Sequence, residues 1–204
     1  MMNTGSKFRQ VLEQVLREQA KPAHKYGHQP RLYALCQDIG QGVPHDDDIV
    51  FAAAWLHDLG VFEGNRPLDQ GELEAWDHVA YARAETTRIL AQTDFPHSKI
   101  AGVIQVIEEH QPHNEPHLVE SVIVRDADIL EQLGAIGVLR TAAKLGSDTR
   151  FLAFEDAAQY LERQLRVLPQ HLRLERSRQI AIPKVKILSE FLESLRAEGI
   201  PQLF

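Results

Sequence analysis

Ile49-Val-Phe-Ala-Ala-Ala-Trp-Leu-His57-Asp58 is an apolar run that ends in an imidazole and a carboxylate and is stopped by Gly60. With Asp46 or Asp47 ahead of it as an N-cap, the run reads as a buried helix. A carboxylate at the end of such a helix is a residue rarely buried without a partner. A neutral imidazole beside an ionised carboxylate also offers a metal ion two ligands from consecutive positions. Alone, a His-Asp dipeptide is expected by chance in a chain with 10 histidines, so other ligands must converge on the same place.

Outward from this stretch, apolar residues recur at intervals of three and four along almost the whole chain, and period-two alternation is nearly absent. The fold class is therefore all-α. Helices are predicted over 7–19, 28–40, 47–59, 71–92, 97–110, 117–132, 135–145, 154–167 and 175–197. The segment 61–71 lacks periodicity and follows the His-Asp pair directly, as loops that carry substrate contacts do. Residues 1–146 are assigned to one metal-binding helical domain and 147–204 to a C-terminal helical extension packed on it. The extension is richer in Arg, which on amphipathic helices is usually a solvated face.

A chain of 204 residues, 44% hydrophobic and 25% charged, suffices for one sizeable core. The formal charge of −7, without a long basic run, argues against a nucleic-acid polymer as partner. A small phosphorylated substrate stays open if a metal supplies local positive charge. The single cysteine, Cys36, lies among Leu32, Leu35 and Ile39 and reads as a buried thiol, which favours a reducing cytoplasm. No apolar leader or membrane-length run is present, so the expectation is a soluble cytoplasmic protein with no membrane partner; a homodimer is allowed.

Further ligand candidates stand on the inward faces of other helices. His28 opens the stripe His28, Leu32, Leu35, Cys36, Ile39, although one such histidine is ordinarily a satisfied core residue. Asp126 is flanked at three and four residues by Val122, Ile123, Ile129 and Leu130, whereas Asp128 has Val124, Arg125, Glu131 and Gln132 in those places. Asp126 is thus the inward carboxylate, with no Lys or Arg on its stripe, and metal ligation answers its charge. His110 ends the stripe Ile100, Val103, Val106, Ile107, and His78 stands above Tyr81, Ala82 and Ile89. A mixed imidazole and carboxylate set suits Mn, Fe, Ni, Co, Zn or Mg as a divalent ion. His113 and His117 fall in a loop and are expected at the mouth of the site or exposed. His24, His45, His97 and His171 read as surface residues.

The order His28, then His57-Asp58, then Asp126 resembles the signature of the HD-domain superfamily of metal-dependent phosphohydrolases, over roughly residues 20 to 145. Ala53-Ala-Trp-Leu-His-Asp-Leu-Gly60 and Asp126-Ala-Asp128, followed by Gly134-Ala-Ile-Gly137, match as well, the latter resembling a bacterial branch. The resemblance implies an HD-domain-like helical bundle with additional C-terminal helices, and one divalent ion on His28, His57, Asp58 and Asp126. Members with two ions use two further histidines, and His78 and His110 match those positions, with Asp58 bridging. Val61 and Gln111-Pro112 depart from the cyclic-dinucleotide phosphodiesterase pattern, so cyclic-di-GMP is not expected as substrate.

By the same resemblance the chain is a hydrolase that cleaves a phosphomonoester or phosphodiester of a nucleotide or related small metabolite through metal-activated water. Asp58 is then catalytic as well as a ligand. The basic and acidic residues that alarmone hydrolases use after the pair are not matched, but Glu63 and Arg66 lie nearby and are candidates for proton transfer and phosphate binding, with Arg31 or Arg66 for neutralising developing charge. Two other readings stand beside it: a regulatory module that binds metal or nucleotide without turnover, and a di-iron oxygenase of the kind some HD-fold proteins are.

Overall fold

The computed structural model describes residues 7–22, 25–146 and 151–199. Among them every regular element is a helix, as the periodicity requires. They are α1 (Lys7–Gln19), α2 (His28–Ile39), α3 (Asp47–Leu56), α4 (Gln70–Glu74), α5 (His78–Ala91), α6 (Ile100–Glu109), α7 (Val119–Glu131), α8 (Gly134–Ala142), α9 (Phe154–Val167) and α10 (Glu175–Glu198). The chain divides into two compact units, Met1–Arg125 and Asp126–Phe204, so the division falls inside α7, whereas the sequence reading set it after 146.

In the first unit α3 is the core. Every residue from Val50 to Leu56 is buried, so the helix is apolar all round, and α1, α2 and α6 pack against it. Phe8, Leu12 and Leu16 form the inward stripe of α1, and Phe8 meets Phe51 and Phe95 edge-on at 6.0 and 5.0 Å. Gly102 admits α6, because a Cβ there would stand 2.8 Å from the Cδ1 of Ile49. The start of α3 is fixed by charge. Asp46 accepts from the Asp48 N–H as N-cap, Arg9 binds Asp47 and Asp48, and Lys99 binds Asp46 and Asp48 at 2.8 and 2.9 Å.

In the second unit α8 packs on α9 and α10. The Gly134-Ala-Ile-Gly137 segment has a steric reason. Gly134 takes φ +69° with Lys184 of α10 3.2 Å from where its Cβ would be, and a Cβ on Gly137 would lie 2.2 Å from the Gln132 carbonyl oxygen. Ala157, Ala158 and Leu161 are the buried stripe of α9.

Most helices end within three residues of the prediction. The predicted helix 71–92 is two helices, because the Asp77 carboxylate caps the Ala80 N–H and starts a new one at His78. The helix predicted to 59 stops at Leu56; a 3-10 turn over Leu59–Val61 follows the His57-Asp58 pair. Among the described residues no helix is long and apolar enough to cross a membrane.

Candidate metal centre

His57 is the residue at which α3 ends, so its side chain leaves the helix where the backbone is free to turn. Its ring is 1% exposed, and its Nδ1 lies 3.1 Å from the Ala54 carbonyl oxygen. A carbonyl oxygen only accepts, so Nδ1 carries the proton and Nε2 presents a lone pair. His28, the first residue of α2, brings its Nε2 to 3.4 Å from that of His57, with the two rings near perpendicular. Asp58 completes the group, its Oδ2 3.5 Å from the Nε2 of His57 and 3.8 Å from that of His28.

These separations suit a shared ion. Two ligand atoms on bonds of about 2.1 Å stand about 3.0 Å apart at octahedral and about 3.4 Å apart at tetrahedral angles. Among the described residues His28, His57 and Asp58 form the one group of three or more such donors whose ligand atoms all lie within 4.8 Å of one another. The anchoring of His57 on a main-chain carbonyl is the outer hydrogen bond that metal-binding histidines use to fix tautomer and aim. The group could hold a divalent metal ion.

The electrostatics agree. Burial works to raise the Asp58 carboxyl, but the positive charge that His57, His28, His110 and Lys25 can carry outweighs it and holds the group far below the usual carboxylate range. Its side chain keeps 20% exposure, so the carboxylate stands at the open side of the group while both imidazoles are enclosed. Lys25, three residues before His28, gave no sequence signal, since an isolated Lys matches no spacing rule.

The two further histidines lie beside this group. His110 caps α6, and its ring is 5.0 Å from that of His57, centre to centre. Its Nδ1 is 2.6 Å from the Ile107 carbonyl oxygen, the same anchoring that His57 shows. His78 opens α5, and the Gln111 amide nitrogen lies 3.3 Å from its Nε2 and 3.0 Å from that of His110. Gly60 makes the approach of His78 feasible. A Cβ on it would be 2.4 Å from the His78 carbonyl oxygen and 2.7 Å from its Cα, and the Trp76 indole donates to the Gly60 carbonyl at 2.8 Å.

Arg31 is half-buried on α2 one turn after His28, Arg66 is half-buried in the turn after Phe62, and Glu63 is exposed. Asp126 is fully buried and Asp128 half-buried, although Val124, Arg125 and Glu131 on the side of Asp128 are buried too. One premise is corrected. The Asp126 carboxylate accepts the Arg173 N–H on both oxygens at 3.1 Å and the Leu174 N–H at 2.9 Å, within the second unit, so its burial is compensated without invoking a cation. Cys36 is buried and forms no disulfide. His97, His113 and His117 are exposed, and His117 binds Glu109 through both its ring and its backbone N–H. His45 and His171 are half-buried rather than superficial, and His24 lies outside the described residues.

Solved structures with the same fold include YpgQ of Bacillus subtilis in complex with ADP, at 21% identity and a TM-score of 0.72 over 96% of this chain and 100% of that one. The Lin1889 protein of Listeria innocua matches at 22% and 0.68, covering 93% and 94% of the two chains. An HD-superfamily hydrolase of Bacillus thuringiensis matches at 20% and 0.65, covering 94% of each. No curated protein matches the chain. The family model named HD domain matches residues 26–133, more than half of the chain, and that span contains His28, His57, Asp58, His78 and His110; this protein belongs to the HD domain family.

Proposed function

We propose that the protein is a metal-dependent phosphohydrolase that cleaves a phosphomonoester or phosphodiester of a nucleotide or related small metabolite. The observation that carries this reading is the compact His28, His57 and Asp58 donor group, whose ligand atoms face one another and whose carboxylate is held ionised. A divalent cation bound there supplies Lewis-acid activation of water and of the phosphoryl group.

This chain's own residues do the rest. His28 and His57 hold the ion from a dry wall, with His57 locked in one tautomer by Ala54. Asp58, held ionised at the open side, neutralises part of the added charge and can accept a hydrogen bond from the attacking water. Lys25, near enough to act on Asp58, and Arg31, one turn after His28, are the cationic groups suited to an anionic substrate. Asp126 is carried as a ligand on the sequence resemblance, and Glu63 and Arg66 as proton-transfer and phosphate groups on their nearness in sequence to the His57-Asp58 pair. The nucleotide class is supported by the ADP bound to YpgQ, a protein of the same fold.

The test is phosphate or pyrophosphate release from a panel of nucleotides with Mn²⁺, Co²⁺, Ni²⁺ and Mg²⁺. Turnover with at least one ion, lost on chelation and in Asp58→Ala, is the expected result. No turnover with any ion, or turnover that Asp58→Ala leaves intact, contradicts it.

A further inference from the structure

The two histidines that could extend the centre to a second ion are already engaged by one side chain, that of Gln111. A primary amide has two N–H donors. The Gln111 amide nitrogen is 3.0 Å from the Nε2 of His110 and 3.3 Å from the Nε2 of His78, so one donor is aimed at each ring. The tautomer of His110 makes the assignment definite. Its Nδ1 must be protonated to meet the Ile107 carbonyl at 2.6 Å, so in the neutral ring Nε2 is an acceptor, and it is the amide NH2 group, not the amide oxygen, that faces it.

A second ion would need the same two lone pairs, at bonds of about 2.1 Å. The backbone that carries the amide is held, so the side chain is presented to both rings from a fixed start. The Gln111 carbonyl accepts the Asn114 N–H at 3.0 Å, the Asn114 side chain donates to the Glu108 carbonyl at 2.7 Å, and the following Pro112 carbonyl accepts from Arg125 at 2.6 Å. Gln111 is sequence-adjacent to His110, so the turn that presents the imidazole also presents its cover. Neither His78 nor His110 joins the compact donor group among the described residues.

We propose that Gln111 closes the His78 and His110 position and restricts this centre to one divalent ion. The inference rests on the metal-centre reading of His28, His57 and Asp58. In the one-ion enzyme the Gln111 amide keeps both imidazoles aimed, which makes Gln111 a positioning residue.

Manganese per chain, measured by elemental analysis after equilibrium dialysis against saturating Mn²⁺, tests it, with the electron paramagnetic resonance spectrum as a second readout. Wild type and His78→Ala are expected to hold one ion with the six-line spectrum of an isolated Mn²⁺. Gln111→Ala and Gln111→Glu, which free the lone pairs or replace the amide by a ligand, are expected to hold two, with a spectrum broadened by coupling between neighbouring ions. Two ions in wild type, falling to one in His78→Ala, overturn the proposal, as do variants of Gln111 that never exceed one. No ion in any of these proteins would instead overturn the metal-centre reading beneath it.

Discussion

Gly60 shows how one residue two places after Asp58 decides what stands beside the donor group. Its missing Cβ is what lets the His78 backbone come within 2.4 Å of that position. Gly60→Ala must push the start of α5 away, and a destabilisation of about 1–3 kcal/mol is expected in urea denaturation, the usual range for overpacking a tight contact. At the same scale, His57→Ala removes a buried ring that touches His28 and His110, and its expected effect is loss of high-affinity ion binding in calorimetric titration. Retained affinity would place the ion elsewhere. The sequence offered His28, His57, Asp58, His78 and His110 because each stands at one end of an apolar run, His28 and His78 at the start and the others at the finish. It did not show Gln111, since a Gln beside a His has no periodic signature and its meaning depends on where α5 arrives. Nor did it show the donors to Asp126, which come from Arg173 and Leu174, 47 and 48 residues further on.

The elements follow from local rules wherever a cap or a glycine speaks plainly. The periodicity and a cap at Asp46 or Asp47 predicted α3, and the cap is Asp46; what lay beyond prediction was the size of the charged clasp at its start. Arg9 stacks over Phe51 with its guanidinium carbon 4.6 Å from the ring centre while binding Asp47 and Asp48, so α1 and α3 are joined by both packing and charge. Burial works to raise the Asp48 carboxyl, but hydrogen bonds and charge from Arg9 and Lys99 lower it overall. A carboxyl depressed in the fold stabilises above its ordinary value, about 3.8, and that stabilisation is lost as pH falls towards the folded value. Stability should therefore drop on acidification below about pH 4, with a shallower drop in Asp48→Asn. Arg9→Ala should cost about 1 kcal/mol near neutral pH, the pairs being partly solvent-exposed. An unchanged acid limb in Asp48→Asn would remove this clasp from the account. The division of the predicted helix 71–92 escaped prediction because Leu73, Trp76 and Ala80 keep intervals of three and four across the break; the Asp77 cap and the Trp76 bond to Gly60 override it.

For the whole molecule, the all-α class and the family were legible because both rest on spacing along the chain, which is what sequence periodicity and ordered motifs record. The division inside α7 was not, since a helix that belongs to both units shows no linker, glycine run or change in composition where they divide. The substrate was not legible either, because it depends on the side chains lining the approach to the centre, and residues 61–71, whose turns carry Glu63 and Arg66, have no pattern that names a ligand. The central claim is that His28, His57 and Asp58 hold a functional divalent ion. A ligand that binds the folded state at about 100 times its dissociation constant adds about 2.7 kcal/mol, which in a chain of this size raises the melting temperature by roughly 5–10 °C. Thermal unfolding of wild type and Asp58→Asn, with chelator and with saturating Mn²⁺, tests the claim most directly. A rise of that order in wild type, absent in Asp58→Asn, is the expected result; no rise in wild type, or the same rise in both proteins, would contradict it.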